Sequence, residues 1–463
     1  MGGRAGILDV FRILPRTNCG DCGEKTCMAF AFLLLERKCV PQDCPYLKEG
    51  KKKELEKLLA PLVRLVTFGT AEDAVRIGGE DVLYRHQLTY FNPTAFAIEV
   101  HDEMDDDTLT SMVSFLTTFR FERVGEKLTL QAAAIRNKSG SEDMFRECVR
   151  KVLRITQKAL ILCSLEAGVL EAALDMCAKK RPLLYAATKD TWRDVGELAM
   201  RYECPVVASS ESIDELESIV VSLRGMGAGE IVCDPSSHPE TLRKTLERFV
   251  ILRKTATENN ETVMNWPLMG IPASVHPERG INHMAREVMT GCALMCRFAD
   301  LLILRSTDMA HLLPLVTLRQ GIYTDPRKPK AVDSGLRRIG VANENSHVLC
   351  TTNFALTYYT VESDIKSGNV NCYLIVFDTD GLGVDSSVAG GQLDAFKANE
   401  AIKKSGIEGL VTHRRIIIPG LAARISGDLE RLSGWEVIVG PRDSSGIPKF
   451  IEKLEKERKG SVI

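Results

Sequence analysis

The chain has 463 residues, 60 of them basic and 62 acidic, giving a formal net charge of −2. That balance excludes a strongly basic nucleic-acid binder, and 44% apolar with 26% charged residues excludes a disordered chain. No uncharged apolar run approaches a bilayer span, and the opening MGGRAGILDVFRIL is broken by charge, so the expectation is a soluble, cytoplasmic, multidomain protein.

Five of the 14 cysteines crowd into TNCGDCGEKTCMAFAFLLLERKCVPQDCPYL: Cys19, Cys22, Cys27, Cys39 and Cys44. The spacing C-x2-C-x4-C-x16-C suits a cluster that needs four thiolates converging on one small volume. Gly20 and Gly23 let the loop turn tightly, and Met28 to Arg37 has helical composition that carries the chain away and back to Cys44, just before Pro45. Cys39 rivals Cys44 as fourth ligand, and the Cys-Pro context favours Cys44. Zinc is the alternative metal, but zinc sites come as paired C-x2-C motifs or with histidines, and no histidine precedes His86. EGKKKELEKLL reads as a solvated helix leading out of this small domain.

From residue 94 the chain alternates short apolar runs with amphipathic segments. The runs are TAFAIEV (94–100), LTLQAAAI (128–135), ALILCS (159–164), PLLYAAT (182–188), PVVASS (205–210), EIVCD (230–234), ETVMN (261–265) and DLLILRS (300–306). Eight strand–helix units of this kind, ending in a helix near 308–320, favour a closed (β/α)8 barrel, with an open doubly wound sheet as the alternative. The strand ends carry polar residues, among them Glu99, Arg136, Asn137, Ser209 and Asp234, but no paired-carboxylate, His/Cys or phosphate-loop constellation.

After the proline-rich, charged segment 323–335 the pattern restarts with strands HVLCTTN, CYLIVFDTD, RIIIPG and EVIVGP, each followed by a helix. Four such units predict a small open parallel sheet, Rossmann-like, which binds ligands beyond the carboxyl ends of its strands. Those ends present Thr351, Thr352 and Asn353; Thr379, Asp380, Gly381 and Gly383; Gly420; and Gly440, Ser444 and Gly446. Small hydroxyls and glycines there let a large ligand approach the backbone. G-x-G-x-x-G and G-x-x-x-x-G-K-[ST] are both missing, which weakens dinucleotide and P-loop readings.

LPRTNCGDCGEKTCMAFAF with Cys44, LRQGIYTDPRKPKAVDSGLRRIG, TTNFALTYYTVESDI, VFDTDGLGV and IIIPGLAARISGDLERLSGWEVIVGP together resemble the large subunit of corrinoid iron–sulfur proteins, the gamma subunit of archaeal acetyl-CoA decarbonylase/synthase complexes. The resemblance runs over nearly the whole chain. It implies an α/β protein of three domains: a [4Fe–4S] domain over 1–60, a TIM barrel over 61–322 and a corrinoid-binding domain over 323–463. It implies cluster ligation by Cys19, Cys22, Cys27 and Cys44. Corrinoid contacts would fall on Thr351, Asn353, Thr357, Thr379, Asp380, Gly381, Leu382, Gly383, Val384, Gly420, Gly440, Ser444 and Gly446.

The implied function is that of a methyl carrier. Cobalt takes a methyl group from a methyl-tetrahydropterin and passes it to the nickel site of acetyl-CoA synthase, or the reverse, and the cluster reduces Co(II) to Co(I). The implied partners are a small corrinoid iron–sulfur subunit, acetyl-CoA synthase, the pterin or its methyltransferase, and a low-potential electron donor, with neither nucleic acid nor membrane. The D-x-H-x-x-G motif of many cobalamin proteins is absent, since neither His276 nor His413 has the aspartate two residues before it. This fits the family's base-off corrinoid, in which axial ligation tunes the potential. The rival functions are an iron–sulfur electron-transfer or docking protein without corrinoid, and a barrel enzyme that binds pterin itself.

Overall fold

A computed structural model describes residues 5–236, 242–258, 262–272 and 281–460. It divides into two compact units, one comprising Met1–Phe121 and Leu128–Thr324, the other Glu122–Lys127 and Asp325–Ile463.

The first unit opens with three helices, α1 (Ile7–Ile13), α2 (Cys27–Leu35) and α3 (Glu49–Leu58). They enclose a small core of Val10, Leu14, Phe30, Ala31, Leu34, Leu47 and Leu55, into which Cys27 and Cys44 are also packed. An antiparallel hairpin follows, β1 (Leu65–Phe68) and β2 (Val75–Gly78). It covers the N-terminal end of the barrel: Gly69 N–H donates to Arg181 O at 2.9 Å, and Thr67 N–H to Glu230 Oε1 at 2.9 Å.

The barrel strands are β3 (Ala95–His101), then, after the hairpin β4 (Phe121–Arg123) and β5 (Glu126–Leu128), β6 (Ala132–Arg136), β7 (Ala159–Cys163), β8 (Leu183–Ala187), β9 (Val206–Ser209), β10 (Ile231–Asp234), β11 (Met269–Gly270) and β12 (Leu301–Leu304). All eight pair in parallel, in the order β10-β9-β8-β7-β6-β3-β12-β11. A single Cys233–Leu268 bridge spans the remaining gap, so the barrel is nearly closed. Its strands are buried almost without interruption, as a sheet covered on both sides requires.

Two strand expectations are corrected. ETVMN is not the seventh strand: Glu261 lies outside the described residues, 262–264 are bends, and the strand comes after Pro267, as Met269–Gly270. The second run splits, because Glu126–Leu128 turns back on Phe121–Arg123 and only Ala132–Arg136 joins the barrel.

The second unit holds a five-stranded sheet of β13 (Gly335–Ile339), β14 (His347–Thr352), β15 (Cys372–Phe377), β16 (Arg415–Ile418) and β17 (Glu436–Val439), in the order β13-β15-β14-β16-β17. Four strands are parallel, and β13, which the charged linker hid, lies antiparallel on β15. Successive side chains go to opposite cores. Val348, Cys350, Ile375, Phe377, Ile416 and Ile418 face one side, and Leu349, Leu374, Val376 and Ile417 face the other. The helix Ala355–Ser367 covers the second core, while Ala395–Ser405 and Ser426–Ser433 cover the first. The chain therefore leaves β14 and β16 toward opposite faces, and the strand order reverses between them. That is the topological switch point, where open α/β sheets leave a crevice.

Candidate functional site

The cysteine loop is built by backbone conformations that suit its residues. Gly20 (φ +85°), Gly23 (φ +88°) and Asn18 (φ +48°) occupy the left-handed region. Asn18 Oδ1 accepts the Cys27 N–H at 2.8 Å, and Thr26 Oγ1 caps α2 by accepting Ala29 N–H at 3.1 Å. The chain returns through a short turn, Pro41–Asp43, that delivers Cys44 with its N–H on Pro41 O.

Cys19 is exposed, Cys22 and Cys39 are half-buried, and Cys27 and Cys44 are buried. Burial raises the Cys44 thiol, with Cys22 and Cys27 adding to the rise, so these three thiols share one neighbourhood. Cys39 also has Cys22 nearby: burial, then Asp43 and Cys22, pushes it up to about 11, and its Sγ lies 3.8 Å from Phe30 O on α2. Among the described residues no three His, Cys, Asp or Glu side chains converge as the ligands of a single metal ion. A cube of iron and sulfide spans a wider gap than one ion, and a donor set of cysteines alone on a glycine-relieved loop suits it.

In the second unit a cavity of about 290 Å³ opens at the switch point, walled by the ends of β14, β16 and β17 and by one face of the helix Ala355–Ser367. Thr351, Thr357, Val384, Gly440 and Ser444 line it. Asn353, Thr379, Asp380, Gly381, Leu382, Gly383, Gly420 and Gly446 do not.

Several of these have structural work instead. Asn353 Oδ1 accepts from Thr379 N at 3.0 Å, Thr379 Oγ1 at 2.9 Å and Gly381 N at 3.0 Å, while its Nδ2 donates to Asp378 Oδ1 at 3.0 Å. Asn353 thus sets the loop after β15. A Cβ on Gly420 would lie 2.7 Å from Gly440 O, so only glycine lets the loops after β16 and β17 meet.

Sequence reasoning missed Leu356, Thr360 and Val361, which share the cavity-facing side of their helix with Thr357 at helical spacing. It also missed Asp364, whose Oδ2 accepts Ser444 Oγ–H at 2.5 Å.

The cavity suits part of a large ligand better than a whole one. Thr351, 1% exposed, lines it and has an Oγ1 without a hydrogen-bond partner, as does Thr352 beside it. A buried hydroxyl without a partner is a group that a bound ligand can satisfy. His413 sits at the opposite end of β16, with Nε2 3.0 Å from Ser346 O, while His276 lies outside the described residues.

At the barrel's C-terminal mouth several polar residues pair with one another. Glu99 lies between Arg136 (2.8 Å) and Arg305 (3.0 Å), and these cations outweigh its burial and hold its carboxyl low. Asp234 Oδ2 accepts from Tyr185 Oη at 2.9 Å and Ser209 Oγ at 3.2 Å.

Cysteine-rich domain, parallel barrel and open α/β sheet define a multidomain α/β protein that carries an iron–sulfur motif on a barrel scaffold. A family model described as "CO dehydrogenase/acetyl-CoA synthase delta subunit" matches residues 65–451, and one described as "Putative Fe-S cluster" matches residues 14–46. The acetyl-CoA decarbonylase/synthase complex subunit gamma of Methanothermobacter thermautotrophicus is 45% identical over 454 residues, covering 97% of this chain and 99% of that one. Subunit gamma 2 of Methanosarcina thermophila is 43% identical over 460 residues, covering 96% and 98%. Among solved structures, dihydropteroate synthase of Thermus thermophilus aligns with 56% of this chain and 100% of its own, at 12% identity and a TM-score of 0.40, too loose a likeness to bear on function. The chain belongs to the family of gamma subunits of the acetyl-CoA decarbonylase/synthase complex.

Proposed function

We propose that this protein is a corrinoid iron–sulfur methyl carrier, a methyltransferase component of an acetyl-CoA decarbonylase/synthase complex. The observation that carries the reading is one chain joining a cysteine-only donor loop to a hydroxyl-lined cavity at a topological switch point. Cys19, Cys22, Cys27 and Cys44 would hold a [4Fe–4S] cluster. Thr351, Thr357, Val384, Gly440 and Ser444 would contact a base-off corrinoid, and the loop 379–384 with Gly420 and Gly446 would shape its surroundings.

Bound there, the corrinoid supplies a cobalt that exchanges methyl groups between a methyl-tetrahydropterin and the nickel site of acetyl-CoA synthase, and the cluster supplies the electron that restores Co(I). The chain's own residues bind and orient these groups, and Asn353 and Asp364 hold the loops that do so. The partners are a small corrinoid iron–sulfur subunit, the acetyl-CoA synthase subunit, the pterin or its methyltransferase, and a low-potential reductant, all in the cytoplasm. Among the described residues no helix is long and apolar enough to cross a membrane.

Metal analysis with ultraviolet–visible and EPR spectra of anaerobically purified protein tests the reading. Cobalt near one and iron near four per chain, with a base-off Co(II) signal that low-potential reduction removes, is the expected result. Iron without cobalt, even after reconstitution with corrinoid and the small subunit, would leave an iron–sulfur electron-transfer protein.

A further inference from the structure

The N-terminal end of the barrel contains a cavity of about 280 Å³, lined by none of the residues assigned above to cluster or corrinoid. Its floor is three ionisable side chains that the fold buries almost completely, Glu80 and Asp300 at 2% exposure and Arg253 at 3%. Arg253 Nη2 donates to Phe298 O at 2.9 Å and to Asp300 Oδ2 at 2.6 Å. Asp300 Oδ2 also accepts the Leu268 N–H at 2.7 Å, and Glu80 accepts from Phe91 and Asn92 N–H at 3.1 Å.

Arg253 Nε and Nη1 and Asp300 Oδ1 make no hydrogen bond among the described residues. They are nevertheless not sealed off, because they belong to side chains that form the cavity wall. Hydrogen-bonding capacity that opens on a cavity can be taken up by a ligand. This floor presents guanidinium donors beside a carboxylate oxygen, which suits a ligand with an acceptor and a donor on one edge.

The walls are largely aromatic, formed by Tyr90, Phe298 and Tyr323 together with Leu83, with the Tyr90 and Tyr323 rings tilted at 57°. At the mouth, Tyr84 stacks on His86 with centroids 5.8 Å apart, beside Arg85 and Arg297. Neither arginine forms an ion pair among the described residues; Arg85 Nη1 donates to Gly321 O at 2.6 Å and Arg297 Nη1 to Cys296 O at 3.4 Å.

We propose that this cavity binds a purine nucleotide, with the mixed edge of the base on Arg253 and Asp300 and the phosphate at the mouth on Arg85 and Arg297. A heterocyclic base has the flat faces and mixed edge that walls and floor require, and a phosphate answers cations that lack counter-ions. The volume suits a nucleoside rather than a dinucleotide. The barrel's N-terminal face more often serves stability than chemistry, so the inference rests on the floor and the mouth together.

The test is isothermal titration calorimetry on the full-length, anaerobically purified protein with AMP, GMP, CMP and inorganic phosphate, which reads nothing from cluster or corrinoid. At least one purine monophosphate should saturate, binding at least about tenfold tighter than CMP or phosphate. Arg297→Ala and Tyr84→Ala, both at exposed side chains, should each weaken it by about tenfold while leaving ligand-free thermal unfolding unchanged. Absence of saturation at millimolar concentration, equal binding of CMP or phosphate, or wild-type affinity in both variants would overturn the proposal.

Discussion

Arg37 Nη2 lies 2.6 Å from Asp81 Oδ2, and this contact joins the cysteine-bearing helices to the polypeptide at the base of the barrel. Arg37 stands just beyond α2, with its backbone in the left-handed region (φ +54°). Its Nη1 donates to Gly79 O at 2.6 Å, and its guanidinium lies 4.3 Å from the centroid of the Phe91 ring. Asp81, 8% exposed, also accepts the Leu62 N–H at 3.3 Å from the linker after α3. Beside this contact runs a crevice of about 890 Å³ lined by Leu34, Leu58, Arg64 and Trp266.

Arg37→Ala leaves a nearly buried carboxylate without its cation, and should cost about 2–3 kcal/mol in urea unfolding. Arg37→Lys keeps the charge but loses the fork that reaches both Gly79 O and Asp81, so it should recover only part of the loss. A double-mutant cycle with Asp81→Asn should return a coupling of at least about 1 kcal/mol. Additive single effects would show that the two side chains act independently.

The thiols make a second prediction. Burial, Asp43 and Cys22 push Cys39 up to about 11 and its Sγ lies 3.8 Å from Phe30 O, whereas Cys44 has both Cys22 and Cys27 near it. On the proposed function, Cys39→Ala should retain about four irons per chain, and Cys44→Ala should lose them while leaving corrinoid binding nearly intact. Iron and sulfide analysis of both variants checks this, and the reverse pattern would make Cys39 the ligand.

Legibility followed the length of each signal. β7 and β12 announce themselves as unbroken apolar runs because parallel strands are buried on both faces. β11 could not, since Met269–Gly270 is too short to show a period and Gly270 carries no side chain; a Cβ there would lie 2.7 Å from Leu294 Cδ1. β13 was hidden for another reason: GLRRI contains two arginines and becomes a strand only by pairing with β15, which lies far along the chain. Strand-end reasoning put Thr351 and Ser444 at one cavity, but it could not separate residues that face a cavity from those, such as Asn353, that hold its loops. That distinction depends on where a side chain points. Arg37–Asp81 and the Arg253–Asp300 pair were invisible because neither partner's local sequence implies the other.

Asn353 supplies a third prediction. One amide oxygen accepts three hydrogen bonds from the loop after β15, and the residue is 5% exposed. Asn353→Ala should destabilise by about 2–4 kcal/mol, because the Thr379 and Gly381 donors lose a shared acceptor inside the protein. On the proposed function, corrinoid affinity should fall with it. Asn353→Asp retains the acceptor but sets a second carboxylate against Asp378, so its deficit should shrink on acidification. Urea melts at two pH values separate these cases, and a pH-independent deficit in Asn353→Asp would argue against the Asp378 contact.

Glu80 gives stability a pH dependence of definite sign. Burial lifts its carboxyl from 4.5 to about 7, against the opposing effect of the Phe91 and Asn92 N–H groups and the Arg253 charge. The folded state therefore holds this proton at pH values where the unfolded chain has released it. Between about pH 4.5 and 7 the native state binds more protons, so this group's contribution to stability falls as pH rises and levels off above about 7. The full change amounts to about 3 kcal/mol at most. Glu80→Gln keeps an acceptor for the two N–H groups and removes the ionisation. Its stability should exceed that of the wild type above pH 7.5 and converge with it near pH 5. Chemical denaturation of both proteins across pH 5–8 measures the difference, and a gap that stays constant over that range would show that Glu80 does not titrate within it.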